Sequence, residues 1–256
     1  MSTAVIPSRE LSADDIAHYR QKGWVAARGF FSPAEAARLS QWTDEICALP
    51  EVPGRHMVYW ENNASGRLLQ RIEDFCSFHA GMDELVRQGR LTEAVAELLE
   101  APPVLFKDKL NFKPPGGSGF VLHQDQQAGW SAYAPIFLTA LISIDRAWAD
   151  NGCLQIADMP RPQGLLGQEW KPLTPDELRG HKLMDVPTEP GDVLFFDSYV
   201  AHASEANRSD RWRRILYLTY NRLADGDHRA QYYRDKRKNF PPDVERVPGR
   251  EYKFRV

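Results

Sequence analysis

Pro102-Pro103-Val104-Leu105-Phe106-Lys107-Asp108-Lys109-Leu110-Asn111-Phe112-Lys113-Pro114-Pro115-Gly116-Gly117 is where the chain changes character. Prolines end the helical pattern upstream, a Pro-Pro-Gly-Gly turn closes the run, and residues 104–112 between them read as a strand. Further β-type runs lie at 120–125, 135–145, 153–157, 183–188, 192–197 and 213–221. Turn clusters separate them, among them Asp150-Asn151-Gly152 and Glu189-Pro190-Gly191-Asp192. Short strands punctuated this way predict an antiparallel sandwich or barrel.

Upstream the pattern is mostly helical. Ser12 with Asp15, and Ser32-Pro33-Ala34-Glu35, are helix starts with capping-box acids. Gly23 stops the first helix. Ala36, Leu39, Trp42, Ile46 and Leu49 continue the second at helical spacing. Strands are expected at 24–27, 57–61 and 67–73, and helices at 81–88, 91–100 and 229–238. The break near residue 102 is not linker-like. One domain over 1–256 is therefore expected, helix-rich over 1–102, with a β core over 103–222 and a polar extension over 223–256.

Composition narrows the class. The 256 residues are 43% hydrophobic and 26% charged, with a net charge of −3. Those values exclude wholesale disorder and argue against nucleic-acid or anionic-membrane partners. No apolar run approaches the roughly 18 residues of a membrane span. The opening MSTAVIPSRELSADD lacks a basic region followed by an apolar one, so it does not read as a secretory leader. Cys47, Cys76 and Cys153 are too few and scattered for a disulfide framework, and free thiols in a reducing cytoplasm are expected. Oligomeric state cannot be read from the chain.

The chemistry is sought in Leu122-His123-Gln124-Asp125. Positions i and i+2 of a strand share a face, so His123 and Asp125 present an imidazole beside a carboxylate. One more histidine would complete a two-His-one-carboxylate triad, which leaves three adjacent positions open on an octahedral Fe(II). Of His181, His202 and His228, His202 is favoured: it comes after the apolar run Val193-Leu194-Phe195-Phe196-Asp197, whereas the others sit in polar segments. His18, His56 and His79 lie outside the β region. Arg213 and Arg214 open another apolar strand, so one of them points inward. A buried guanidinium needs an anion, and a small dicarboxylate would supply one. Strand parity does not choose between the two.

His-x-Asp, a distant histidine, and arginine eleven residues later together resemble the phytanoyl-CoA dioxygenase family of Fe(II)- and 2-oxoglutarate-dependent oxygenases. The resemblance spans roughly residues 10–222. It is strongest at Lys109 to Gly117, His123-Gln124-Asp125, Asn151 to Gln155, Pro190-Gly191-Asp192, and His202 through Arg213. It implies a mainly β fold, a cupin-like double-stranded β-helix or jelly roll braced by N-terminal helices. It further implies that His123, Asp125 and His202 bind iron and are catalytic, with O2 and 2-oxoglutarate as cosubstrates. Arg213 then clamps the far carboxylate of 2-oxoglutarate, Ser204 shares it, and Asn111 helps hold the cosubstrate, with Arg214 second choice for the clamp. A carboxylate at position 125 argues for hydroxylation over halogenation. One departure from the family is Ala157-Asp158-Met159-Pro160-Arg161, where a Pro-Gly-Ser-His stretch is frequent.

The resemblance does not name the substrate. Tyr59, Gln70, Arg71, Gln126, Trp130, Tyr133 and Arg161 are candidate pocket residues. Tryptophan and tyrosine suit an ammonium, and Arg71, Lys107 or Arg161 suits an anion. The mix points to a small zwitterion such as an amino acid or an aminoalkylphosphonate. With no phosphate-binding basic cluster evident near the motif, a long acyl-CoA is disfavoured. Two rivals remain: a cupin-type isomerase or hydrolase using the same three ligands without 2-oxoglutarate, and a non-enzymatic β-sandwich binding protein.

Overall fold

The computed structural model describes residues 10–252. Residues 1–9, which hold much of the stretch that argues against a leader, and 253–256 lie outside the described residues. Two antiparallel sheets face each other. The larger joins β1 (Trp24–Ala27), β9 (Val193–Asp197), β6 (Leu138–Ser143), β11 (Arg213–Arg222), β4 (Pro103–Lys113), β3 (Gly66–Glu73) and β2 (Met57–Asn63) in that order. The smaller joins β5 (Phe120–His123), β10 (His202–Ser204), β7 (Leu154–Ala157) and β8 (Leu183–Val186). This is the double-stranded β-helix that the resemblance implies.

Four helices cover one face of the larger sheet: α1 (Ala13–Lys22), α2 (Pro33–Cys47), α3 (Ala80–Arg87) and α4 (Arg90–Leu99). Both capping boxes form, Ser12 with Asp15 and Ser32 with Glu35, so each helix starts where the sequence signals it. Ile46, Val86, Leu91 and Val95 from these helices bury against Leu110, Phe112, Leu216 and Leu218 of β4 and β11. The other face of the same strands looks into the space between the sheets, where Ile215 meets Phe196, Leu194 and Ile156.

Several boundaries differ from the sequence reading. β10 is not visible as a strand in the sequence, because three residues cannot show a period. The run at 135–145 shortens to β6, and that at 120–125 ends at His123, since Asp125 opens a 3-10 turn over Asp125–Ala128. β1, β2 and β3 belong to the helix-rich part of the sequence yet build three of the larger sheet's seven strands. The 223–256 extension contains α5 (Arg229–Asn239), which packs Tyr232 and Tyr233 against the β core.

Gly23 ties α1 to the segment leading into β10. Its φ is +80°, and a Cβ there would lie 2.9 Å from Val200 Cγ2 and 3.1 Å from Asp197 Oδ2. Its carbonyl accepts from the Asp197 amide at 2.9 Å. Gly23→Ala is expected to cost about 1–3 kcal/mol through backbone strain and collision. The check is a urea titration, with a lower midpoint and an unchanged slope.

Candidate active site

Adjacent strands of the smaller sheet bring two histidines together. His202 on β10 is the Cα partner of His123 on β5, and their rings lie 4.3 Å apart between centroids. Each ring bonds through Nδ1 to the carbonyl two residues back: His123 to Val121 O at 2.7 Å, and His202 to Val200 O at 2.9 Å. A carbonyl can only accept, so both Nδ1 atoms carry the proton and both Nε2 atoms present lone pairs to the chamber.

Asp125 arrives by a different route from the one strand parity suggests. Its residue lies past the end of β5. The intervening Gln124 keeps extended dihedrals, φ −110° and ψ 135°, so the alternation survives one step beyond the strand. The Gln124 side chain is buried and anchored, donating to Tyr199 O and Gly164 O and accepting from Leu166 N. Asp125 Oδ1 thereby stands 3.7 Å from His123 Nε2.

Ligand atoms of His123, Asp125 and His202 all lie within 4.8 Å of one another. Two aimed lone pairs and a carboxylate on one side of a cavity fit a facial iron site. Burial, with His123 alongside, pushes His202 down to about 4, so its ring is neutral and able to ligate at neutral pH. Burial would raise the Asp125 carboxyl, but the two imidazoles beside it, His123 and His202, hold it well below the usual carboxylate range.

A second group of side chains lies beside the triad. Arg213 opens β11 opposite Lys113 of β4 and is buried to 1% exposure. Its Nε and Nη1 find no hydrogen-bond partner. Arg214 faces the other way and is saturated: Asp145 takes two bonds at 2.9 and 2.8 Å from Nε and Nη2, Asp44 one at 2.6 Å, and Ser40 one at 2.9 Å. Of the two neighbours, Arg213 is thus the one that lacks an anion. Burial raises the Tyr217 hydroxyl, with Arg213 and Asn111 acting in the opposite sense, and Asn111 Oδ1 is buried without a partner. Ser204 Oγ accepts from Lys113 Nζ at 2.8 Å, and Lys113 also donates to the Glu205 carbonyl. Burial beside Arg213 pushes Lys113 down to about 6. The unpaired, buried N–H donors of Arg213, with Lys113 and Ser204 close by, fit a bound carboxylate.

The sequence reading missed Tyr217 and Lys113. The signal for both is strand parity: Tyr217 is four residues beyond Arg213, and Lys113 two beyond Asn111.

The expected substrate residues divide. Trp130, Tyr133 and Tyr59 gather with Phe106, Phe137 and Tyr232 in one aromatic cluster. Gln126 is buried with its Oε1 unpartnered, and Arg71 is buried over the Tyr59 ring. Arg161 is committed elsewhere, bonding Asp197 Oδ2 at 2.6 Å and lying over Tyr19. Gln70 turns to Glu61 at the hairpin. The aromatic faces proposed for a substrate ammonium already hold the protein's own cations: Lys107 lies 5.5 Å from the Trp130 centroid and 5.6 Å from that of Tyr232. His181 and His228 bond the backbone carbonyls of Asp158 and Asp225, apart from the triad.

Residues 19–215 match the family described as phytanoyl-CoA dioxygenase. The chain belongs to that family. It is accordingly an Fe(II)- and 2-oxoglutarate-dependent dioxygenase. The chain is 39% identical to a 2-aminoethylphosphonate dioxygenase of an uncultured bacterium, covering 91% of this chain and 90% of that protein. It is 36% identical to a methylphosphonate hydroxylase of Gimesia maris, covering 95% and 93%. Among solved structures it resembles EctD from S. alaskensis with 2-oxoglutarate and 5-hydroxyectoine, at a TM-score of 0.72 and 19% identity over 96% of this chain and 86% of that one, a likeness of fold. Among the described residues, no helix is long and apolar enough to cross a membrane.

The two arginines make opposite predictions. Arg213→Ala should raise the 2-oxoglutarate concentration needed for half-maximal binding by ten- to hundredfold, on the scale of about 1.5–3 kcal/mol for a charged hydrogen bond. Arg214→Ala should leave that concentration within twofold and lower the melting temperature, because it breaks two bonds to α2 and two to Asp145. Titration of both variants checks this, and the opposite pattern would hand the clamp to Arg214.

Proposed function

We propose that this dioxygenase hydroxylates an unactivated C–H bond of a small organophosphonate, 2-aminoethylphosphonate or methylphosphonate being the nearest chemistry. The observation that carries the proposal is the likeness, over nine-tenths of the chain or more, to two relatives named for these substrates. Iron with 2-oxoglutarate, when bound, supplies O2 activation coupled to decarboxylation of the keto acid to succinate and CO2.

The chain's own residues do the rest. His123, Asp125 and His202 would hold the metal from one side, leaving the opposite side for ligands. Asp125 keeps a carboxylate where a halide would otherwise have to sit, which favours hydroxylation. Arg213 would grip the far carboxylate of 2-oxoglutarate, with the Ser204 hydroxyl held in place by Lys113. Asn111, on the same face of β4 as Lys113, would support the same molecule. Hydrogen bonds from Nδ1 to Val121 and Val200 hold both imidazoles in the ligating tautomer. The aromatic cluster excludes water from the reacting carbon. We place the protein in the cytoplasm, where its cysteines would stay reduced; all three are free thiols here.

An anaerobic titration with Fe(II) and 2-oxoglutarate should produce the weak visible band of keto-acid chelation, and His202→Ala should abolish it. Succinate release should then rise at least tenfold with 2-aminoethylphosphonate or methylphosphonate, but not with L-proline, ectoine or an acyl-CoA. Stimulation by one of the latter alone would replace the phosphonate reading. Asp125→Ala should release no succinate under any of these conditions.

A further inference from the structure

The iron and keto-acid residues leave a set of buried charges unexplained. Three cations from three elements meet at one carboxylate, Arg71 on β3, Lys107 on β4 and Lys236 on α5, with Lys109 of β4 in the cross-strand position beside it. The carboxylate is Glu73, fully buried. Arg71 Nε lies 3.3 Å from it and Lys107 Nζ 4.0 Å, and Lys236 bonds it directly. Glu73 can neutralise one of these. The chamber therefore carries a surplus of positive charge on this side.

Lys109 is the sharpest case. It is the Cα partner of Glu73 across β3 and of Tyr217 across β11. Its ammonium lies 4.5 Å from the Tyr217 ring centroid and forms no hydrogen bond or ion pair among the described residues. Burial, with Lys107 alongside, pushes its ammonium down to about 7, against the opposing pull of Asp125 and Glu73. It thus stands between the triad and the cationic cluster. Lys113, beside the keto-acid clamp, is four residues along the same strand, roughly 13 Å away. A single small anion cannot use both ends.

We propose that Lys109 and Lys107, backed by Arg71 and Lys236, form the seat of the substrate's phosphonate group. The assignment rests on the phosphonate reading above. A tetrahedral dianion with three oxygens suits several convergent donors, whereas a monocarboxylate brings half the charge. Aromatic rings steady the donors: Lys107 lies over Trp130 and Tyr232, Arg71 over Tyr59, and Lys236 over Tyr59 and Tyr232. The C-terminal helix becomes part of the substrate site, since it supplies Lys236 and Tyr232.

The test is calorimetric binding of methylphosphonate and 2-aminoethylphosphonate to the full-length, metal-free protein. It is paired with the dependence of succinate release on each compound in the iron-loaded enzyme. Lys109→Met should weaken phosphonate binding tenfold or more and raise KM in parallel, and Lys109→Arg should recover most of the loss. Lys107→Met, which leaves Glu73 paired with Arg71 and Lys236, should also weaken binding. If Lys109→Met does not fold, Lys109→Gln provides the same comparison. Wild-type affinity in the Lys109 variants would overturn the phosphonate seat while leaving the function intact. A wild-type enzyme that neither binds a phosphonate nor releases succinate with one would overturn the functional reading itself.

Discussion

β4 is a strand with its polar side turned inward, and the rest of the architecture depends on that. Lys107, Lys109, Asn111 and Lys113 lie on one face and Asp108, Leu110 and Phe112 on the other. In an ordinary half-buried strand the charged face would meet water. Here the apolar face meets α3, α4 and their neighbours, and the charged face lines the space between the sheets. Buried ammonium groups are tolerable only where anions or π faces meet them. The chain supplies some of these itself, in Glu73, the Tyr217 and Trp130 rings, and the Ser204 hydroxyl. The remaining demand is what makes the interior a ligand site and not a packed core.

The three residues that gather as a candidate metal site were legible because they obey rules of local geometry. His-x-Asp works through alternation, and the alternation reaches Asp125 even though the strand stops two residues earlier. His202 was recognisable from the apolar strand before it, although its own three-residue strand was not. Arg213 and Arg214 show the limit of parity: the sequence places one inside, and only the ladder with Lys113 and the Asp145 partner reveal which. The helix starts at Ser12 and Ser32 were equally plain, since caps depend on neighbours three residues apart.

What sequence reading missed is non-local. The basic cluster draws Arg71, Lys107, Lys109 and Lys236 from positions up to 165 residues apart, so no window along the chain shows a basic patch. The bulge near Phe106, where β4 and β11 slip register between Thr219 and Tyr220, brings both Phe106 and Lys107 to Trp130. Bulges re-aim side chains in this way, and simple alternation does not forecast them. α5 reads as a solvated charged helix, yet Tyr232, Tyr233 and Lys236 are turned into the chamber, with Arg229 tied to Asp74 and Asp108. For the same reason the aromatic residues are filled from within: Lys107 occupies the ring faces that a substrate ammonium would need.

Charge balance joins the two halves of the site. Six cations line it, Arg71, Lys107, Lys109, Lys113, Arg213 and Lys236, against the carboxylates of Glu73 and Asp125. A divalent iron would widen that surplus, whereas a keto diacid and a phosphonate dianion together would remove four charges. What then remains is two positive charges. Lys109 and Lys113 are the groups that burial brings down to about 7 and about 6, so each can release a proton when no anion is beside it and regain one when an anion arrives. The same surplus disfavours a cationic substrate lacking a phosphonate, because its ammonium would enter beside Lys107 with no free carboxylate to meet it.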